Sequence, residues 1–457
     1  MADRLMVSVS GVRGTVGGTL TGEVARQFGS AFATMLGAGS TVTIARDTRP
    51  SGPDIQRAVT DGLLAGGVSV IDLGVVSTPG AALMTSRLKA DGGVVITASH
   101  NPGRYNGIKF LQPTGPALRT ADAGRLADIW RAGEFAAVKE DERGGLSTNS
   151  NTHGEHVEAV CAVVDEAGIS ARRFKVVVDS INGAGCVVTP MLLGRLGCEL
   201  VHVNGQPTGE FAHEPEPIAA NLTDLGQAVR RHKADVGFAQ DPDADRLVIF
   251  DEAGRFIGEE CTLALAVAHT LRHRKGKVAA NLATSRMIDD IAASAGCEVV
   301  RSPIGEANVV EAMLANDCIL GGEGNGGVID PRVVCVRDSL VAIAMTLNYM
   351  DEAGKTIAQL AAELPKYVMS KTKMPCPAGA GDAVSVAVRK AFAGVPGAAF
   401  NDADGLRIDL PAGWVSVRAS NTEPIMRVTA EAREHDQADS LLQQVAEIAE
   451  SVIAELG

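Results

Sequence analysis

One arrangement of apolar and polar positions recurs three times along the chain. An apolar strand leads into a polar or glycine-rich loop, then a helix, a small turn and a second apolar strand. The copies start at Val42-Thr43-Ile44-Ala45, Val176-Val177-Val178 and Val278-Ala279-Ala280. Their helices are expected near 53–65, 187–196 and 285–295, and their second strands follow Gly66-Gly67, Gly197 and Gly296. About 18 to 25 residues separate each first strand from its turn glycine, the length of a parallel crossover through a helix. Three tandem α/β units with mixed, largely parallel sheets are therefore expected; one large doubly wound sheet cut by insertions is the alternative.

After Gly381 the pattern changes. A helix is expected over Val384–Phe392 and strands over Gly405–Leu410, Trp414–Val417 and Ile425–Glu431. A closing amphipathic helix keeps Leu441, Leu442, Val445, Ile448, Val452, Ile453 and Leu456 on one stripe. This fourth unit reads as helices on a small antiparallel sheet. Polar stretches at Glu140–His156, Asp251–Gly258 and Lys366–Gly381 are the candidate joints. They divide the chain into 1–153, 154–253, 254–368 and 369–457, three α/β domains and a C-terminal α+β domain.

Composition narrows the picture only in part. With 457 residues, 46 % hydrophobic and 21 % charged, the chain can bury several cores. A net charge of −13 argues against a nucleic-acid partner, so any anionic ligand needs locally gathered Arg and Lys. No apolar run is long enough to span a membrane, and the start lacks a basic and apolar leader, so a cytoplasmic location is expected. The eight cysteines show no CxxC spacing and read as reduced thiols.

Ligands of open α/β sheets bind beyond the carboxyl ends of the strands, and the unusual residues fall there. The run Gly93-Val94-Val95-Ile96-Thr97-Ala98-Ser99-His100-Asn101-Pro102 delivers the Ser99 hydroxyl to a strand mouth. Alternation along a strand turns Ser99 and His100 to opposite sides, which speaks against a direct dyad. Alone, the motif reads equally as a polar cap, and Arg104 and Lys109 as surface charge. Asp241-Pro242-Asp243-Ala244-Asp245-Arg246 places three carboxylates at spacing two, a site for a hard cation such as Mg²⁺ or Ca²⁺. An EF-hand is excluded because Arg246 stands at the sixth position, where the loop needs glycine, and the flanks are strands. A solvated acidic turn is the other reading. Gly321-Gly322-Glu323-Gly324-Asn325-Gly326-Gly327 has glycines that would let a ligand approach the backbone, and Glu323 can accept hydrogen bonds from vicinal hydroxyls; a turn without ligand is the alternative. Arg418-Ala419-Ser420-Asn421-Thr422-Glu423-Pro424, with Arg427, suits a phosphate dianion or is an ordinary Ser/Asn turn. The four loops fall one to a unit and supply complementary chemistry: nucleophile, cation site, polyol acceptor and phosphate clamp.

In these motifs and their order, the sequence resembles the α-D-phosphohexomutase family over essentially its whole length. The resemblance implies a four-domain, heart-shaped arrangement. It implies that Ser99 carries a phosphoryl group and that one Mg²⁺ per chain is held by Asp241, Asp243, Asp245 and phosphorylated Ser99. Glu323 and Asn325 would bind the sugar in two orientations, related by reorientation of a hexose 1,6-bisphosphate that serves as intermediate and activator. Arg418, Ser420, Asn421, Thr422 and Arg427 would hold the non-reacting phosphate. Arg13, His100, Lys109 and Arg246 would line the reaction centre, with Lys109 or His100 moving the proton. The sugar loop departs from the GEMSGH pattern of many bacterial members, since Asn325 and Gly327 replace Ser and His. The implied reaction interconverts hexose 6- and 1-phosphates, glucosamine phosphate first and mannose or glucose phosphate as the alternative, in a monomer or homodimer. A sugar-phosphate phosphatase and a non-catalytic sensor are the rival readings.

Overall fold

The computed structural model describes residues 4–377, 379–420 and 424–456. Its strands form four sheets, and the first three contain one four-stranded motif. In the first copy the order is Tyr105–Leu111, Gly92–Ile96, Thr41–Arg46, Ser69–Val75. In the second it is Leu247–Phe250, Val236–Gln240, Lys175–Asp179, Glu199–Val203, and in the third Gly327–Ile329, Leu320–Glu323, Val278–Asn281, Val299–Ser302. The first pair of each copy is antiparallel and the other two pairs are parallel. The repeat is thus larger than the expected strand–helix–strand: each copy ends in a hairpin at one edge of its four-stranded motif. Those three hairpins hold Ser99, the Asp241–Asp245 triplet and the turn after Glu323. The internal repeat therefore puts its chemistry at one equivalent position three times.

The expected elements are present. The three crossover helices run Gly52–Ala65, Gly185–Arg195 and Met287–Ser294. The inner strands are buried end to end, as Gly92–Ile96 and Val236–Gln240 show, because helices cover both faces. The first sheet is widened by Met6–Ser8 and Gly11–Thr15 on one side and by Leu146–Thr148 on the other. That last strand lies inside the stretch expected to be a polar joint; it pairs in parallel with Ser69–Val75.

The fourth sheet is antiparallel throughout: Val368–Pro375, Ile425–Ala432, Gly413–Ala419, Leu406–Leu410, Ala399–Asn401. Helices Ala380–Phe392 and His435–Leu456 pack on it. The strand Val368–Pro375 lies within the stretch Lys366–Gly381 expected as a joint. Its polar middle, Ser370-Lys371-Thr372-Lys373, makes a partly exposed edge, which hides the strand from a search for apolar runs.

One apolar core runs from Ala45 to Leu364 through the first three units, whereas the fourth has its own, from Met374 to Ala449. The fourth unit meets the third mainly through polar contacts. Arg286 reaches Asp409 and Leu410 O, Arg407 reaches Leu282 O, and Arg433 reaches Asp290. No helix among the described residues is long and apolar enough to cross a membrane.

Candidate active site

The Ser99 loop is shaped from beneath by Arg49. This fully buried guanidinium donates to the carbonyl oxygens of Ser99 (2.6 Å), Asn101 (2.7 Å), Pro102 and Tyr105 (3.0 Å each), and its charge is met by Asp47 at 3.0 Å. Thr97 Oγ1 donates to Asp47 and accepts from the Ser99 amide. Ser99 is held at φ +49°, in the left-handed region that only a well-braced non-glycine residue keeps. The kink corrects one expectation. Because the chain is no longer extended there, strand alternation fails and His100 Nδ1 lies 3.3 Å from Ser99 Oγ. Burial, with the charges of Arg246, Arg13 and Arg337, pushes the His100 imidazole down to about 2, so it is neutral.

Ser99 Oγ also donates to Asp241 Oδ2 at 2.8 Å, joining the first repeat to the second. Asp241, Asp243 and Asp245 are all fully buried, with carboxylate oxygens within 4.8 Å of one another. Both oxygens of Asp241 and one oxygen each of Asp243 and Asp245 are engaged by protein. Asp241 Oδ1 accepts the amides of Asp245 and Arg246, Asp243 Oδ2 accepts Lys109 Nζ and Thr78 Oγ1, and Asp245 Oδ2 accepts Arg337. The remaining oxygens of Asp243 and Asp245 are buried without a hydrogen-bond partner. Bare anionic oxygens inside a protein need a cation, so the triplet fits a divalent metal. Burial and the two neighbouring carboxylates hold Asp241 well above the usual carboxylate range, the strain a cation would relieve. Asp243 suffers the same burial, but Lys109 and Thr78 hold it below that range. For Lys109, burial opposes the charge and Asp243 and Asp245 outweigh it, so the ammonium is retained. Arg13 donates to Asn101 Oδ1 at 2.9 Å, and Arg246 Nε lies 3.8 Å from Asp245 Oδ1, an ion pair without a hydrogen bond.

Arg337, which the sequence motifs did not single out, joins the second repeat to the third. Its guanidinium spans Asp245 (2.7 Å), Glu323 (2.5 Å) and Glu306 (3.4 Å), and its amide donates to Glu306. Burial works against this charge, yet Asp245, Glu306 and Glu323 together hold it well above the ordinary arginine range. Glu323 also accepts from Asn281 Nδ2 at 2.7 Å and the Gly305 amide, and Asn325 Nδ2 lies 3.5 Å from it while Asn325 Oδ1 is buried and unpartnered.

The glycines of this loop have a reason other than ligand approach. A Cβ on Gly324 would lie 2.0 Å from Glu260 Oε2, one on Gly326 2.3 Å from the Leu247 carbonyl, and one on Gly327 2.2 Å from Arg337 Cδ. Protein groups occupy those places, and the Leu247 amide donates to Gly326 O. Burial pushes the Glu260 carboxyl up to about 8, against a hydrogen bond from the Ser285 amide and the charge of Lys371. Folding therefore takes up a proton at Glu260 between about pH 4.5 and 8, and its contribution to stability is lost as pH rises through 8. Glu260→Gln is expected to raise Tm by a few degrees at pH 8.5 and to change it little at pH 5. Thermal melts of both proteins at the two pH values check this.

In the fourth unit Arg418 Nε donates to Asp404 at 2.6 Å, and Asp404 accepts the Ile304 amide beside Gly305. A polar chain thus runs from Arg418 through Asp404, Gly305, Glu323 and Arg337 to the Asp triplet. Arg418, Arg427 and Lys373 are cross-strand neighbours in one row. Like charges side by side are unfavourable unless an anion meets them, and Lys373 extends the expected set. Ser420 lies at the strand end, its amide donating to Ile425 O. Asn421 and Thr422 lie outside the described residues.

Four family models match this chain. Phosphoglucomutase/phosphomannomutase alpha/beta/alpha domains I, II and III match residues 4–137, 154–254 and 259–367, and the C-terminal domain matches 372–448. A "Phosphoglucomutase/phosphomannomutase" from Thermococcus kodakarensis is 40 % identical, with 95 % of this chain and 96 % of the relative aligned. A "Probable phosphoglucosamine mutase" from Methanopyrus kandleri is 37 % identical over 98 % of both. Among solved structures, a phosphoglucomutase/phosphomannomutase family protein from Burkholderia thailandensis superposes with a TM-score of 0.86 at 28 % identity, covering 98 % of each chain. Four matched domains in the order of the four loops, and identity sustained over nearly the whole length, establish that the chain belongs to the phosphoglucomutase/phosphomannomutase family and is a phosphohexomutase.

Proposed function

We propose that this mutase interconverts glucosamine 6-phosphate and glucosamine 1-phosphate, with Ser99 as the phosphoryl carrier, and that its units divide near residues 153, 253 and 368. The observation that carries the phosphotransfer is the Ser99 hydroxyl at 2.8 Å from Asp241, within an acidic triplet in which one oxygen each of Asp243 and Asp245 is buried without a hydrogen bond.

Mg²⁺ held by Asp241, Asp243, Asp245 and the Ser99 side chain would neutralise charge on the transferring phosphoryl group. The protein's own residues do the rest. A free sugar hydroxyl attacks phosphorus, the bond to Ser99 Oγ breaks, and the hydroxyl proton is passed by way of His100 Nδ1, which lies beside that oxygen, to the departing Ser99 Oγ, so serine is left as its hydroxyl. A phosphoryl dianion on Ser99 offsets the guanidinium charges that add to burial in keeping His100 neutral. Lys109, Arg13 and Arg246 hold charge on the equatorial oxygens. The resulting hexose 1,6-bisphosphate turns over and returns its other phosphate to Ser99. Glu323 grips vicinal hydroxyls in either orientation, with Asn325 beside it. Arg418, Ser420 and Arg427, joined by Lys373 and by Asn421 and Thr422, hold the distal phosphate.

Two facts support glucosamine. Carboxylates of Glu323 and Glu306 stand beside the sugar loop, an environment suited to a substrate ammonium, and relatives at 35–37 % identity carry the name phosphoglucosamine mutase. The Thermococcus kodakarensis relative's name favours glucose or mannose phosphate as the second reading. A panel of glucosamine, N-acetylglucosamine, glucose and mannose 6-phosphates is expected to give the highest kcat/KM with glucosamine; a lead of ~10-fold for glucose or mannose phosphate would reverse the assignment. Exhaustive chelation is expected to abolish turnover and Mg²⁺ to restore it. Asp243→Asn should lower kcat by ~10²-fold or more even at saturating Mg²⁺. Full activity after chelation would remove the metal from the scheme.

A further inference from the structure

The helix Glu259–His273 begins beside the sugar loop and ends about 20 Å away, on the far side of the third unit. On its last turns His269 and His273 stand four residues apart, on one face, opposite Glu352 of the helix Ser339–Ala353. His269 Nε2 is 3.3 Å and His273 Nε2 2.6 Å from the same oxygen, Glu352 Oε2. His269 is 7 % exposed, and its Nδ1 has no hydrogen-bond partner. Its Nε2 faces Glu352 and Asn348, whose Nδ2 lies 3.1 Å away and also donates to Glu352 Oε1. The group opens onto a cleft of 330 Å³ that also holds Asp165, Arg274 and Arg332. The two arginines are engaged elsewhere, Arg274 by the Ile319 carbonyl and Arg332 by Asp330.

We propose that His269, His273 and Glu352 form a second metal site, for Zn²⁺ or a similar borderline divalent ion. Two imidazoles and one carboxylate are the donor set such ions take, leaving a fourth position toward the cleft. In a tetrahedral site with bonds of ~2.0–2.1 Å, donor atoms lie ~3.3 Å apart and the centroids of two bound imidazoles ~5.2 Å apart. The observed values are 3.3 Å for His269–Glu352 and 5.4 Å for the two rings. Only His273 must move outward, by ~0.7 Å on the tetrahedral spacing, and it is the half-exposed member at the helix end. The set differs in kind from the Asp241–Asp243–Asp245 triplet, whose oxygens suit a hard ion. One ion here would tie the two helices together and stabilise the third unit by mass action.

The test uses the full-length protein, reduced and saturated with Mg²⁺ so that the acidic triplet is occupied, titrated with Co²⁺ and then Zn²⁺. One equivalent of Co²⁺ is expected to give visible d–d bands without thiolate charge transfer and to be displaced by Zn²⁺. Zn²⁺ should also raise the Tm of the wild type. His273→Ala and Glu352→Gln, both at partly exposed positions, should weaken the binding by at least ~100-fold and abolish the Tm gain, whereas Asp243→Asn should keep both. Equal Co²⁺ binding by wild type and His273→Ala, thiolate bands, or absence of binding would each overturn the site and leave the cluster an ion pair.

Discussion

Ser99→Ala is expected to lower kcat by at least ~10³-fold and to abolish acid-stable phosphate on the protein, while the fold and the loop survive. The loop should survive because Arg49 grips it through carbonyl oxygens of Ser99, Asn101, Pro102 and Tyr105, none of which the substitution touches. The Thr97–Asp47 brace likewise reaches the Ser99 amide and not its hydroxyl. Alanine accepts the positive φ no worse than serine does. What disappears is the Oγ that faces Asp241 and His100. Steady-state turnover and phosphoprotein mass spectrometry on wild type and variant decide the matter. Turnover within ~10-fold of wild type would mean that another group carries the phosphoryl. If the wild type instead released inorganic phosphate from the sugar phosphate, and the variant did not, water would be taking the phosphoryl group from Ser99 and the phosphatase reading would return.

Arg337 should show the second large effect, on stability as well as rate. Its guanidinium is the shared counter-ion of Asp245, Glu323 and Glu306, and its neutral replacement leaves three carboxylates facing one another in a buried space. Breaking a buried ionic group by removing one partner typically costs ~3–5 kcal/mol. Arg337→Met is therefore expected to lower Tm by several degrees and to disable turnover. Arg337→Lys separates the two effects. It keeps the charge but not the planar fork, so Tm should largely recover while kcat/KM remains ~10- to 100-fold down, because one ammonium cannot hold the metal loop and Glu323 in register together. Full kinetic rescue by lysine would reduce Arg337 to a counter-ion.

The elements of the fold were legible because their signals are local. Val176–Val178 and Val278–Ala280 are continuous apolar runs buried on both faces, and the stripe from Leu441 to Leu456 keeps helical period over about four turns. Val368–Pro375 was missed for the converse reason, since an edge strand with Lys371 and Lys373 facing water has no apolar run to read. The Ser99–His100 alternation argument failed because it assumes extended backbone, and Arg49 bends that backbone from 50 residues away. The glycines around Glu323 were legible as unusual, but their cause lies in Glu260, Leu247 and Arg337, which no local window contains.

The sequence by itself determined the four units, the type of sheet in each and the loops that bear hydroxyl, carboxylates and guanidinium groups, because strand period, crossover length and motif chemistry are properties of neighbouring residues. Tertiary structure alone decided that the three loops are the same edge hairpin of a repeat. It also decided that Ser99 meets Asp241, and that Arg337, 92 residues beyond Asp245, binds the metal loop to the sugar loop. Charge pairing between distant segments depends on how buried surfaces meet. An isolated arginine carries no sign in the chain of the carboxylates it will be folded against.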